Sequence, residues 1–481
     1  MKRIIATILL AVMVLVTSCG AEPPVLMDFL GPQTDGNDFG GVTIRINSDD
    51  NSEAEDDSGS KKGFIGTVLR YDLETTLGDA IMQRTEAVKK ALNVNIEYEW
   101  EVDRETARMK LMSGSWDADI TSYTGFGGMQ DFAAAGMLHP IADFDIIDLN
   151  ETWKYGGPNV LEGGMVNSVP YSVQPVSWPG WEPMECYALF YNRDIGSMNG
   201  ITDPQEFYEN QTWVWDTFES EYLAKVNLTS GSEKIPCLAT GIDPLYYCLA
   251  YSNNVQYVEM GADGAFKINA APNELIEALS EGREWVTMYG DNIDLSEGYW
   301  SHDNYDDGYG YMTLASPGTI VTGSLAYEVD FFSGIMPFPC GPSVEYGRWG
   351  QAIQRIEGFG IPISSKEPEV AAHVISELFE PFDEYIGTLE EYYSSMAFEE
   401  GTYDTEIYTS LDDYSKYDYT FAGGSDLMRG VNNNLASVLR SSKGVAEAIQ
   451  SYSGQITVIA EKYILPNYDY MYNNYYANLE N

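Results

Sequence analysis

The segment from Gly41 to Ser122 restricts the fold of this chain more than any other. Gly41-Val-Thr-Ile-Arg-Ile46 alternates apolar and polar residues, the period of a half-buried strand. Thr76 to Asn93 reads as a helix with Asp79 in its first turn, an apolar face of Ile81, Val88, Ala91 and Leu92, and Asn93 as its stop. Val94 to Trp100 alternates strictly, with Val94, Ile96, Tyr98 and Trp100 on one side. Asp103 caps a second helix that runs through Met112 and ends at Ser113-Gly114. Asp117 to Ser122 is the next strand, followed by the glycine-rich Tyr123-Thr-Gly-Phe-Gly-Gly128. Strand, helix, strand, helix, strand implies a parallel sheet covered by helices. Such sheets admit ligands beyond the carboxyl ends of their strands, which places Tyr123 and Gly125 at a candidate site. The loop is not GxGxxG and does not point to a nucleotide.

A chain of 481 residues exceeds one ordinary domain, so two lobes are expected. With 44% hydrophobic residues it has the means to pack cores. Lys and Arg number 26 against 74 Asp and Glu, a formal net charge of −48. That surface repels nucleic-acid phosphates and anionic lipid headgroups, so no nucleic-acid partner is expected. The 35 tyrosines supply flat amphipathic faces, most of them core or sheet residues by default.

Met1-Lys2-Arg3 is a basic start, and Ile4 to Val16 is an apolar run shorter than the ~20 residues of a membrane span. Val16-Thr-Ser-Cys-Gly20 follows, and small residues before a cysteine look like a bacterial lipobox. Residues 1–18 are then a lipoprotein signal peptide, and Cys19 carries the lipid (palmitate and related acyl chains) that anchors the protein to a membrane outside the cytoplasm. Residues 19–40 read as a tether. Cys186, Cys237, Cys248 and Cys340 make no CxxC or zinc spacing. Two disulfides, with Cys237–Cys248 the easiest, and buried free thiols both remain open.

The acidic run Ser48 to Ser60 lacks the D-x-D-x-D-G order of a calcium loop and reads as solvated, so no metal is expected. Gln130–Leu138 is a short helix, while His139–Phe144 and Asp148-Leu149 are extended. The stretch Pro170 to Asp194, rich in Pro, Gly and Trp and closing on the β-type run Cys186 to Tyr191, is expected to cross from one lobe to the other. Asp203–Asn210 and Thr212–Leu228 read as helical, split near Gln211. Thr313–Val321, Gly334–Phe338 and Gly358–Pro362 are extended. Pro368 opens a helix whose Val370, Ala371, Val374, Ile375, Leu378 and Phe379 form one stripe, and Val445 to Tyr463 marks a late helix.

Several phrases then carry a resemblance. They are Leu111-Met-Ser-Gly-Ser-Trp-Asp-Ala-Asp-Ile120, Ala134-Ala-Gly-Met-Leu-His-Pro-Ile141, Ala188-Leu-Phe-Tyr-Asn-Arg-Asp194, Trp213-Val-Trp-Asp-Thr-Phe218, Gly334-Ile-Met-Pro-Phe-Pro339, and Gly360-Ile-Pro-Ile with Glu367-Pro-Glu-Val-Ala-Ala372. In this order, after a lipobox, the chain resembles bacterial extracellular solute-binding proteins of ABC importers, of the carbohydrate type that includes maltose-binding protein. The resemblance implies an α/β, two-lobed, periplasmic-binding-protein-like fold (type II), each lobe a mixed sheet flanked by helices, with a ligand cleft between them. Lobe 1 is expected at 41–184 with about 356–398, and lobe 2 at 187–352 with about 399–481. The implied function is capture of a sugar or oligosaccharide for a membrane permease, by a monomer without cofactor.

A neutral sugar is held by rings on its C–H faces and polar groups on its hydroxyls. Trp178 and Trp181, spaced by Pro-Gly, fit such a platform or a packed hinge. By position in the family pattern, Tyr123, Ser324, Tyr327 and Trp349 are candidates; Gly323-Ser-Leu-Ala-Tyr327 departs from the maltose binder by lacking a tryptophan. Trp300 and Asp303, in Tyr299-Trp-Ser-His-Asp-Asn304, belong to a polar-aromatic loop that reaches the cleft or caps a lobe. Trp213 and Trp215 read as structural. The three histidines fall in no HExxH motif, and GxSxG and P-loop motifs are missing, so no enzyme activity is expected. The alternatives are a binder of a peptide or other polar solute and, in another class, a surface glycan hydrolase or adhesion lipoprotein.

Overall fold

The computed structural model describes residues 37–48, 76–99, 104–123, 128–156, 158–176, 187–230, 233–261, 264–296, 302–317, 329–347, 350–353, 358–380, 397–399, 401–408, 415–417 and 426–468. In chain order its main elements begin with β1 (Val42–Ser48), α1 (Thr76–Leu92), β2 (Val94–Glu99), α2 (Arg104–Ser113), β3 (Ile120–Tyr123) and α3 (Gly128–Ala134). Then come β4 (Ala188–Asn192), α4 (Arg193–Asn199), α5 (Pro204–Glu209), β5 (Leu238–Ala239), α6 (Ile242–Ser252) and α7 (Asn273–Met288). They are followed by β6 (Ile293–Asp294), β7 (Met312–Ala315), β8 (Ser333–Met336), β9 (Gly358–Gly360), α8 (Pro368–Leu378), α9 (Asp426–Ala436) and α10 (Val445–Ile459). The chain divides into two compact units, Met1–Glu182 with Ile356–Gly387 and Asn481, and Pro183–Arg355 with Thr388–Glu480.

In the first unit the strand order is β9-β3-β1-β2. β1 runs parallel to β2, pairing Ile44 with Ile96, and parallel to β3, pairing Ile46 with Ile120. The alternation in the sequence decides the outcome: Ile44, Ile46, Val94 and Ile96 are buried, while Arg45 meets Glu97 at 3.3 Å across the strands. β9 arrives from far along the chain and runs antiparallel to β3, pairing Gly358 with Tyr123 and Gly360 with Thr121. Val173 bridges to Phe359 beyond it. Asn93, at a φ of 47°, ends α1 in the left-handed region, and Gly114 does the same for α2.

α8 buries its expected stripe against α1. A charged residue lies within that contact. Arg84, fully buried on α1, donates to the carbonyls of Leu378 and Glu380 at the end of α8. Burial pushes its guanidinium down to about 9, against the opposing pull of Glu380 and Glu377. Buried Lys154 joins the same end, bonding Ser376 Oγ at 3.2 Å and pairing with Glu380.

In the second unit the order is β6-β5-β7-β4-β8. β4 runs antiparallel to both β7 and β8, and β5 runs parallel to β6 and β7, so this sheet is mixed. α4 opens with Asn192 accepting from Ile195 N at 2.9 Å, and α5 with Asp203 accepting from Gln205 N at 3.0 Å. Below them lies a buried ionic knot. Asp404 accepts from Arg193 Nε at 2.9 Å, Gln205 Nε2 at 2.7 Å, Thr402 Oγ1 at 2.7 Å and Ile335 N at 3.0 Å, while Arg193 also pairs with Asp203.

Two expectations are corrected. A helix over Thr212–Leu228 is not formed throughout: Val214 is extended and bridges to Cys340, with Cys340 N donating to Trp213 O at 3.1 Å, so helix begins only at Trp215. It widens into a π-helical turn over Phe218–Leu223, and Leu228 starts a short hairpin strand. His139–Phe144 is not extended throughout, since Ile141–Asp143 forms a 3-10 turn. Of the two readings open for the cysteines, the structure has Cys237, Cys248 and Cys340 as buried free thiols; Cys186 and Cys19 lie outside the described residues. Among the described residues no helix is long and apolar enough to cross a membrane, and no group of three His, Cys, Asp or Glu is placed to hold a metal.

Candidate functional site

The carboxyl ends of β1 and β3, with β9 and the segment Tyr171–Gln174 that bridges to it through Val173, gather a set of buried polar side chains. Asn47, Thr121, Tyr123, Ser172 and Gln174 are all buried there. Tyr123 ends β3; its hydroxyl donates to Asn47 Oδ1 at 2.9 Å and its ring meets Phe132 edge-on at 5.1 Å. The ring therefore belongs to the core formed by Leu111, Trp116, Met129 and Phe132.

Gly-Phe-Gly in β9 makes this arrangement possible. A Cβ on Gly358 would stand 2.8 Å from Ser172 Oγ and 3.1 Å from Met129 Cγ; one on Gly360 would stand 2.6 Å from Met129 Cε and 2.9 Å from Tyr171 O. Phe359 and Val173 point to the opposite, apolar face. Ser172 and Gln174 consequently share the face of Thr121 and Tyr123. Four polar atoms there, Thr121 Oγ1, Ser172 Oγ and both ends of the Gln174 amide, are buried without a hydrogen-bond partner. Each of these five side chains is neutral at pH 7, so what they present is hydrogen-bonding capacity without charge.

In the second unit, Asp303 is exposed at the start of the short helix Asp303–Asp306. Next to it His302 Nδ1 lies 2.7 Å from Asp306 Oδ2, and Asn304 Nδ2 donates to Asp294 Oδ2 at 3.5 Å, at the carboxyl end of β6. Tyr305 is buried behind them with its hydroxyl 2.7 Å from Ser333 Oγ. The Asn304–Asp294 bond ties residues 302–306 to the end of β6, while Tyr299, Trp300 and Ser301 of the same loop lie outside the described residues. Thr240 follows β5, and Asp243 lies in the first turn of α6, where burial pushes its carboxyl up and Arg429 opposes the shift. Trp213 and Trp215 are buried, their indole nitrogens donating to Pro337 O at 2.9 Å and Ser252 Oγ at 3.0 Å.

Tyr123 and Asp303 thus belong to different units. Gly125, Trp178, Trp181, Trp300, Ser324, Tyr327 and Trp349 lie outside the described residues. Sequence reasoning passed over Asn47, Thr121, Ser172 and Gln174. The available signal was the pair of glycines in Gly358-Phe-Gly360, which marks a strand that other chain approaches closely.

No protein-family model matches the chain, and no curated protein matches it. Solved structures do. An ABC substrate-binding protein from Listeria monocytogenes, in complex with cycloalternan, is 12% identical over 88% of this chain and 100% of its own, with a TM-score of 0.58. A sugar transporter from Rhizobium etli in an open conformation is 14% identical over 87% of this chain and 99% of its own, at 0.59. The GacH receptor of Streptomyces glaucescens, solved unliganded and with acarbose, is 15% identical over 88% and 99%, at 0.55. At such identities the likeness is one of fold, and the chain has the α/β, periplasmic-binding-protein-like fold of these solute-binding proteins.

Proposed function

We propose that this chain is the substrate-binding component of an ABC importer, capturing a sugar or oligosaccharide and handing it to a membrane permease. The observation that carries the reading is the fold likeness itself, which spans 88% of this chain for a binding protein solved with cycloalternan and 88% for one solved with acarbose. The buried neutral hydroxyl and amide groups at the carboxyl end of the first unit's sheet support it, because a polyhydroxylated solute is recognised by such groups. The net charge of −48 supports an uncharged ligand over an anionic one.

Within this proposal the protein is held by the lipid on Cys19 at a membrane surface outside the cytoplasm, acts as a monomer, and is not an enzyme. Its lobes are assigned the boundaries read from the sequence, 41–184 with about 356–398 and 187–352 with about 399–481. The test is thermal shift and titration calorimetry against maltotetraose, D-mannitol, D-tagatose and acarbose, with product analysis after long incubation. A binder gains thermal stability with at least one of them and releases nothing. Hydrolysis products would refute the reading in favour of a glycan hydrolase, and selective stabilisation by a peptide would refute the sugar assignment.

A further inference from the structure

We propose that Gln174 is a specificity-determining residue that reads a pair of neighbouring hydroxyls on an uncharged ligand, an inference that rests on the binding function above. Three glutamines are fully enclosed among the described residues: Gln130, Gln174 and Gln205. Two of them are occupied by the protein. Gln130 Nε2 donates to Gly163 O, and Gln205 Nε2 donates to Asp404 Oδ1 at 2.7 Å. Gln174 has neither its donor nor its acceptor satisfied.

A buried amide without partners destabilises the free protein, and an apolar side chain of the same size would remove that cost. A group retained at the expense of stability, at the end of the sheet where α/β folds admit ligands, is accounted for by a use in binding. The position agrees with this. Val173 pairs with Phe359, which sets Gln174 beside Gly358, and Gly358 pairs with Tyr123, the last residue of β3. The hydroxyls of Ser172 and Thr121, likewise unpartnered, lie on that face.

The chemistry of the amide defines the ligand. Nε2 donates to one hydroxyl oxygen while Oε1 accepts from the next hydroxyl, so a vicinal diol satisfies both atoms at once. A carboxylate cannot, since it offers Oε1 no proton, and the net charge of −48 repels it further. Because the amide is enclosed, a ligand reaches it only after the surrounding chain parts, so association is slower than steered, diffusion-limited binding.

The experiment compares wild type with Q174M, which keeps the length of the side chain and removes both polar atoms. The probe is whichever of maltotetraose, D-mannitol, D-tagatose or acarbose binds wild type most tightly. Expected are a higher Tm for ligand-free Q174M and at least tenfold weaker binding, expressed as faster dissociation. Equal affinity of Q174M and wild type would overturn the inference and leave the binding function standing, whereas a wild type that binds no probe overturns both. Should Q174M fail to fold, Q174N keeps the amide and withdraws it by one methylene; the same tenfold loss is expected, and unchanged affinity overturns the inference. A purely structural role predicts a lower Tm with affinity intact.

Discussion

The ionic knot around Asp404 gives the most demanding test of how the second unit is held together. Asp404 is fully buried and accepts from Arg193, Gln205, Thr402 and the Ile335 amide within β8. Asp404→Ala removes the acceptor and leaves all four donors in place. Breaking a buried ion pair from one side costs about 3–5 kcal/mol. The stranded Ile335 N–H adds about 1–3 kcal/mol, while the ion-pair loss sits at the low end of its range because Arg193 keeps Asp203. The combined expectation is about 4–6 kcal/mol. At about 2–4 °C per kcal/mol for a unit of this size, Tm falls by roughly 10–20 °C. Differential scanning calorimetry of the whole chain measures it, with Asp203→Ala as the comparison. Asp203 keeps 33% of its side chain exposed against none for Asp404, so its loss is smaller. A drop equivalent to less than about 1 kcal/mol for Asp404→Ala would refute the argument that the knot is a buried, fully used acceptor site.

The same carboxyl sets a pH dependence. Burial pushes Asp404 up, with Arg193 opposing. Its folded-state pKa is therefore above the unfolded one, the native state holds the proton more tightly, and stability from this group rises as pH falls through that window. Denaturant titrations over the acidic range are expected to show this slope in wild type and lose it in Asp404→Asn. Arg84→Met leaves the Leu378 and Glu380 carbonyls without their donor and costs about 2–4 kcal/mol, read from urea midpoints. Gly358→Ala forces a Cβ against Ser172 Oγ and Met129 Cγ and costs about 1–3 kcal/mol in the same assay. Cys237, Cys248 and Cys340 are buried free thiols, with burial pushing the thiols of Cys237 and Cys340 up, so mass-spectrometric mapping of alkylation finds all three unlabelled in the native protein and labelled in denaturant.

What the sequence made legible is what local periodicity controls. β1, β2 and the stripe of α8 announce themselves because alternate or i, i+3, i+4 side chains must share a face. The start of the helix at Trp215 was not legible, because what delays it is Val214 pairing with Cys340, far away in the chain. Arg84 was hidden for a similar reason: a charged residue on an apolar helix face reads as an interruption until the carbonyls it caps, 294 and 296 residues on, are brought to it. At the candidate site, Tyr123 reads as the first residue of the loop after a strand ending at Ser122, whereas it is the last residue of β3, with its ring packed and its hydroxyl engaged by Asn47. Nothing in the letters around Gln174 distinguishes it from Gln130, because the distinction lies in which partners the fold supplies.

The lateness of β9 bears on how the protein is made. Until Gly358–Gly360 leaves the ribosome, the side of β3 that Thr121 and Tyr123 present has no neighbour to close it. At 5–20 residues per second that wait lasts roughly 10–50 s. A sheet formed from β1, β2 and β3 alone in that interval has an open border at β3, the kind of edge that recruits strangers into aggregates. Truncations ending before residue 358 should inherit that condition permanently, and whatever carries the newborn chain must guard this border until its own C-terminal half arrives to seal it.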